Sequence, residues 1–233
     1  MKFLAPLSRL FWSFTAKWER SSPLPSLQPP MNITEDHWLE NAIRRPLPGG
    51  AVMATRRFLV IHHTAGASGL SSIEFWKTPA AKGASAHIVI ERDGTICQCR
   101  PFNRTCGHAG SSKWKDPKTG TLYLALNSCS IGIELANAGN SLQALSWARK
   151  QPGFKSIAAK HKNGGPIEEW EAYTPAQLSS CEAVSRALVA RYNLDDVVGH
   201  EDIAPERKVD PGPAYPMQVL RNACGFTKPL GEV

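Results

Sequence analysis

Residues 57–63 read Arg-Phe-Leu-Val-Ile-His-His, and this stretch constrains the fold more than any other. A run of aliphatic and β-branched residues without polar alternation needs cover on both faces, so it reads as a buried central strand with other elements packed above and below it. The run stops at His62 and His63, which places two imidazoles at the end of that strand.

Two further segments carry strand periodicity. "SAHIVIERDGTICQC", residues 85–99, alternates on either side of Asp93-Gly94, a dipeptide that favours a tight hairpin turn. "CSIGIELAN", residues 129–137, puts Ile131, Ile133 and Leu135 on one face and Ser130, Gly132 and Glu134 on the other. Glu134 therefore points away from the apolar face of its own strand.

Helix signals lie between the strands. Thr34 caps an expected short helix over "TEDHWLENAI", and Ser71 with Glu74 fits a capping box. Thr174-Pro175-Ala176-Gln177 supplies an N-cap, a proline at the first helical position and a glutamine at the third. From there Leu178, Cys181, Val184, Leu188, Val189 and Tyr192 recur at helical spacing, and a last short helix is expected from about Pro216 to Gly225. Residues 140–170 are polar and weakly periodic; they read as a surface insertion with one helix near 142–150. The expected fold class is α/β: a single domain with a mixed central β-sheet flanked by helices.

With 233 residues, 42% of them hydrophobic, the chain can bury one sizeable core but not two generous ones. Residues 1–31 read as an N-terminal extension ending in the Pro/Ser-rich linker "SSPLPSLQPPM", and residues 32–228 as the folded domain. "MKFLAPLSRLFWSFTAKW" imitates a secretion signal, but Arg9 splits its apolar part and no A-x-A pattern follows, so a signal peptide is not expected. No run approaches the roughly 20 apolar residues that a membrane-spanning helix needs. Net charge is +7, which suits an anionic partner such as a cell wall; the basic residues are scattered, with no motif for nucleic acid. None of the six cysteines has C-x-x-C spacing, which leaves buried thiols or at most one or two disulfides.

The segment "GHEDIAPERKVDPGP", residues 199–213, has the residue types of a rigid loop that presents side chains. Together, His62, His200 and Asp210 form a two-imidazole, one-carboxylate set, which leaves the fourth position of a zinc ion open to water, as in hydrolytic sites. Chance also places two histidines and an aspartate in many chains.

Five segments in order, "VIHHTAG" (60–66), "SAHIVIERDGTI" (85–96), "GHAGSSKW" (107–114), "NSCSIGIELAN" (127–137) and "VVGHEDIAPERKVDPGPAYP" (197–216), resemble the successive motifs of the zinc-dependent N-acetylmuramoyl-L-alanine amidases of type 2, relatives of the peptidoglycan recognition proteins. The resemblance implies an α/β amidase fold and hydrolysis of the amide between N-acetylmuramic acid and the L-alanine of the stem peptide. It implies zinc held by His62, His200 and Asp210, Glu134 as catalytic acid/base, and Lys208 as the group that stabilises the transition state. His87, His108, Asn127 and Asn137 are the candidate substrate-binding residues. For His87 the other reading is a hydrogen-bonded core histidine, and for the asparagines it is caps at strand ends. The implied partner is peptidoglycan or its muropeptides, met by a monomer, in a phage lysis enzyme or a bacterial wall-remodelling or recycling enzyme. The alternative is a recognition module that binds the wall without cutting it; such relatives lack a ligand or the acid/base, and here all are present.

Overall fold

The computed structural model describes residues 31–228, so the expectations for the N-terminal extension lie outside the described residues. Ten strands form in chain order: β1 (Ile43–Arg44), β2 (Phe58–His63), β3 (Ile88–Ile90), β4 (Ile96–Gln98), β5 (Lys113–Lys115), β6 (Leu122–Leu124), β7 (Ser130–Leu135), β8 (Ser156–Lys160), β9 (Ile167–Glu171) and β10 (Asp196–Gly199). Five α-helices accompany them: α1 (Gly69–Trp76), α2 (Leu142–Ala148), α3 (Pro175–Tyr192), α4 (His200–Ile203) and α5 (Met217–Ala223).

The central sheet runs β1-β4-β3-β7-β2-β10. Strands β3, β7, β2 and β10 are mutually parallel, and the Asp93-Gly94 turn makes β3 and β4 antiparallel. The sheet is therefore mixed, as expected. Strand β2 sits inside it, buried at every position. Its Leu59 and Ile61 join Ile131, Ile133 and Leu135 of β7 in the main core, which Cys181, Val184 and Leu188 of α3 cover. On the opposite face Phe58 and Val60 pack with Ala109, Leu126, Cys129 and Ile203, so this side is closed mainly by the 107–129 segment.

Helix α3 starts at the expected cap: Thr174 and Gln177 bond reciprocally, with Pro175 in the first turn. Helix α5 likewise begins after Pro216 and ends before Gly225. Two expectations fail. Residues 34–42 form turns, not a helix, because His37 adopts a left-handed φ of 67° and the Leu39 N–H is taken by the side chain of Gln98. The cap of α1 is Ser68, not Ser71, which is the third helical residue; the free amides of Gly69 and Leu70 are met by the Glu91 carboxylate.

The 140–170 segment contains α2, as expected, and also the β8–β9 hairpin, which weak periodicity concealed. Its Trp170 is 1% exposed, so the segment is not confined to the surface. All six cysteines are free, five of them buried.

Candidate active site

Sheet register builds the first part of the site. His62 lies opposite Glu134 across β2 and β7, and Gly199 lies opposite Ile61, so His200 follows level with His62. Three chemically capable side chains thus share one row at the carboxyl ends of three adjacent parallel strands, where open α/β sheets place their ligands. The loop after α4 then returns Asp210, whose carbonyl accepts the N–H of Glu201 at 2.8 Å.

The donor atoms of the expected metal set converge. His62 Nδ1 and His200 Nδ1 are 2.9 Å apart, and Asp210 Oδ2 is 3.0 Å from each. All three residues are buried, and they form the one potential metal-holding group found among the described residues.

Hydrogen bonds on the far side of each ring decide where the protons sit. His200 Nε2 lies 3.2 Å from the carbonyl of Ala109, which can only accept, and 3.3 Å from the guanidinium of Arg207, which can only donate; donation to the carbonyl leaves Nδ1 free to face the cluster. His62 is set through His108. Ser130 gives its hydroxyl hydrogen to Leu126 O at 2.6 Å, so both Ser130 oxygens near His108 Nε2, each at 3.3 Å, accept from it. His108 Nδ1 is then bare and receives the Nε2 hydrogen of His62 at 3.0 Å, which leaves His62 Nδ1 bare as well.

The charge states agree with this chain. Burial, reinforced by His200, pushes His62 down to about 4, and burial with His62 and His87 beside it pushes His108 well below the usual imidazole range. Burial opposes ionisation of Asp210, yet His200 and His62 at its side hold its carboxyl well below the usual carboxylate range. Two imidazole nitrogens and a carboxylate oxygen therefore meet at about 3 Å. Such a cluster fits a divalent cation: a tetrahedral zinc ion with bonds of about 2.0–2.1 Å to nitrogen spaces its ligands by roughly 3.3 Å.

Glu134 stands beside this cluster in a groove of about 390 Å³ that Trp76, Ser85, Lys208 and Val209 also line. Its Oε2 is buried without a hydrogen-bond partner, and burial together with Asp210 pushes its carboxyl up to about 8, with Lys208 acting in the opposite direction. An unpartnered carboxyl group with a raised pKa beside such a cluster can exchange a proton with a group that enters the groove.

The other expected site residues divide. His108 reaches the groove, but both of its nitrogens serve the chain that orients His62. Its ring lies so close to Gly132 that a Cβ there would meet it at 2.6 Å, so this strand position needs glycine. His87 is fully buried, accepting from Gly132 N–H and donating to Arg104 O, which fits the core reading. Asn127 spends its carbonyl on the amides of His108 and Ala109. Asn137 is fully buried and bonded to Gly139 and Glu171. Neither asparagine nor His87 lines the groove, because each holds backbone around it. Sequence reasoning missed Arg207, whose guanidinium donates to Ala109 O and Ser111 O and so fixes the carbonyl that orients His200. Its one signal was its place between Glu206 and Lys208 in the loop already singled out.

Comparison with known proteins bears directly on this arrangement. The profile of the N-acetylmuramoyl-L-alanine amidase family matches residues 53–213, a span that takes in every member of the cluster. The chain belongs to that family. Among curated amidases, AmiD of Escherichia coli K12 is 34% identical over 173 residues, covering 70% of this chain and 51% of AmiD. The 1,6-anhydro-N-acetylmuramyl-L-alanine amidase AmpD of Salmonella typhimurium SL1344 is 35% identical over 133 residues, 56% of this chain and 52% of AmpD. This chain thus spans about half the length of the curated amidases it matches. Among solved amidases, a selenomethionine AmpD derivative superposes with a TM-score of 0.58 at 29% identity, covering 81% of this chain and 97% of that one. AmiD of E. coli with anhydro-N-acetylmuramic acid-L-Ala-D-γ-Glu-L-Lys gives 0.55 at 28% identity, covering 76% and 60%.

Proposed function

We propose that this protein hydrolyses the amide bond between N-acetylmuramic acid and L-alanine in peptidoglycan or its muropeptides, with a zinc ion held by His62, His200 and Asp210. The observation that carries the reading is the convergence of three bare donor atoms beside the unpartnered carboxylate of Glu134. The family match and the muropeptide bound to AmiD support the substrate class.

When bound, zinc acts as a Lewis acid that polarises a carbonyl and makes water acidic enough to lose a proton near neutral pH. The chain's own residues do the rest. Glu134 accepts the proton of the attacking water and passes it to the leaving amine of L-alanine, work typically worth about 10²- to 10⁴-fold. Lys208, on the groove wall, places an ammonium where negative charge grows on the amide oxygen. His108 and Ala109 O keep the two imidazoles in the tautomers that face the ion.

Mass spectrometry of a purified anhydro-muropeptide and of intact sacculi, each digested with zinc-loaded protein, tests the reading. The expected products are a free lactyl carboxylate on the sugar and a peptide with an L-alanine amino terminus. Binding of both substrates with no change in mass would replace the enzyme with a recognition module.

A further inference from the structure

The β8–β9 hairpin reaches the metal loop through one residue. Glu201 directly follows ligand His200, and its backbone N–H bonds ligand Asp210 at 2.8 Å. Its Oε2 accepts from Gly212 N–H at 3.1 Å, two residues beyond Asp210, so Glu201 ties both ends of the ligand-bearing loop together. The remaining partners of Glu201 come from the hairpin tip. His161 Nε2 lies 2.6 Å from Oε2, Lys162 Nζ lies 2.7 Å from Oε1, and Asn163 Nδ2 donates to the Glu201 carbonyl at 3.0 Å.

Proton placement makes this contact directional. The Asn163 N–H donates to His161 Nδ1 at 3.1 Å, so a neutral His161 carries its hydrogen on Nε2 and gives it to Glu201. Trp170 backs the arrangement: its ring stacks on His161 at 5.8 Å, and Gly212 lies so close that a Cβ there would meet the ring at 2.5 Å. His161 and Glu201 are 6% and 3% exposed, so this bond works in a dry environment where losing one partner is costly.

We infer that the hairpin tip, His161-Lys162-Asn163, is a positioning device that holds His200 and Asp210 at metal-binding spacing, so that the 140–170 segment sets the metal affinity of the site. The inference rests on the zinc reading above. None of the three residues lines the catalytic groove; they act through Glu201.

The test is zinc affinity of the purified, metal-free full chain, measured by competition with a chromophoric chelator, alongside thermal melts of the metal-free forms. His161→Ala and Asn163→Ala are expected to weaken zinc binding, about 10- to 100-fold for His161→Ala and less for Asn163→Ala. His161→Gln, which restores a donor and an acceptor, is expected to recover much of the loss. Ile157→Ser, on an exposed position of the same hairpin, is expected to bind zinc like the parent. Asn163 is exposed, so its variant folds even where His161→Ala does not. Folded variants that bind zinc within twofold of the parent, or that lose melting temperature without losing affinity, would overturn the inference. A parent chain that binds no zinc would instead overturn the metal reading.

Discussion

Two buried histidine–carboxylate contacts adjoin at the neighbouring residues His200 and Glu201, and they are built for opposite ends. At His62, His200 and Asp210 the outer nitrogens have acceptors in reach, His108 Nδ1 and Ala109 O, an arrangement that turns hydrogen-free inner nitrogens toward one another. At His161 and Glu201 the outer nitrogen accepts from Asn163, so a hydrogen lies inside the contact and closes it. Both contacts pair imidazole with carboxylate. The partner of the second ring nitrogen separates a pair suited to a cation from one that closes on itself.

Breaking the first contact has the largest expected effect. His200→Ala removes one of three donors and is expected to abolish stoichiometric zinc binding and with it hydrolysis, whereas elemental analysis of the parent is expected to give about one zinc per chain. Zinc retained at one equivalent in that variant would place the ion elsewhere.

Glu134→Gln separates holding the ion from using it. The variant is expected to keep zinc and lose turnover by about 10²- to 10⁴-fold in muropeptide digestion; near-parental turnover would remove Glu134 from the chemistry. The same substitution sharpens the electrostatics. In the metal-free protein burial raises this carboxyl from 4.5 to about 8, so folding favours the protonated form. Between those two values the folded state holds more protons than the unfolded chain, and stability falls as pH rises. Metal-free Glu134→Gln should therefore melt at a higher temperature than the metal-free parent at pH 8, with the gap closing toward pH 4.5. A gap that does not vary with pH would contradict the raised value.

The smallest effect tests the orientation of His62. His108→Phe keeps a ring over Gly132 but deletes the acceptor for the His62 hydrogen, and zinc affinity is expected to fall about 10- to 100-fold with the fold intact. Unchanged affinity would mean that the tautomer of His62 is fixed without His108.

Much of this was legible beforehand, for reasons that particular residues make plain. Phe58–Ile61 and Ile131–Leu135 announce their strands because side-chain period is a local property, and Thr174-Pro175 with Gln177 announces α3 because a cap is completed within four residues. The convergent set His62, His200 and Asp210 was readable because its members lie inside ordered motifs. The short helix expected over residues 34–43 does not form because Gln98, far along the chain, takes the Leu39 amide. His87, Asn127 and Asn137 offered the right chemistry for substrate, but their bonding atoms are consumed by backbone groups that come close only after folding.

By itself, then, the sequence determined the alternating and continuous apolar runs, the helix caps and the order of the motifs, all of which act over a few residues. Tertiary structure alone decided which groups face the outer nitrogens of the histidines, that Arg207 steadies the carbonyl behind His200, and that a polar, weakly periodic insertion reaches the His200–Asp210 loop through Glu201. Those outcomes depend on distances between groups as many as 148 positions apart, such as His62 and Asp210, and a hydrogen bond is specified only once both partners have been brought within about 3 Å.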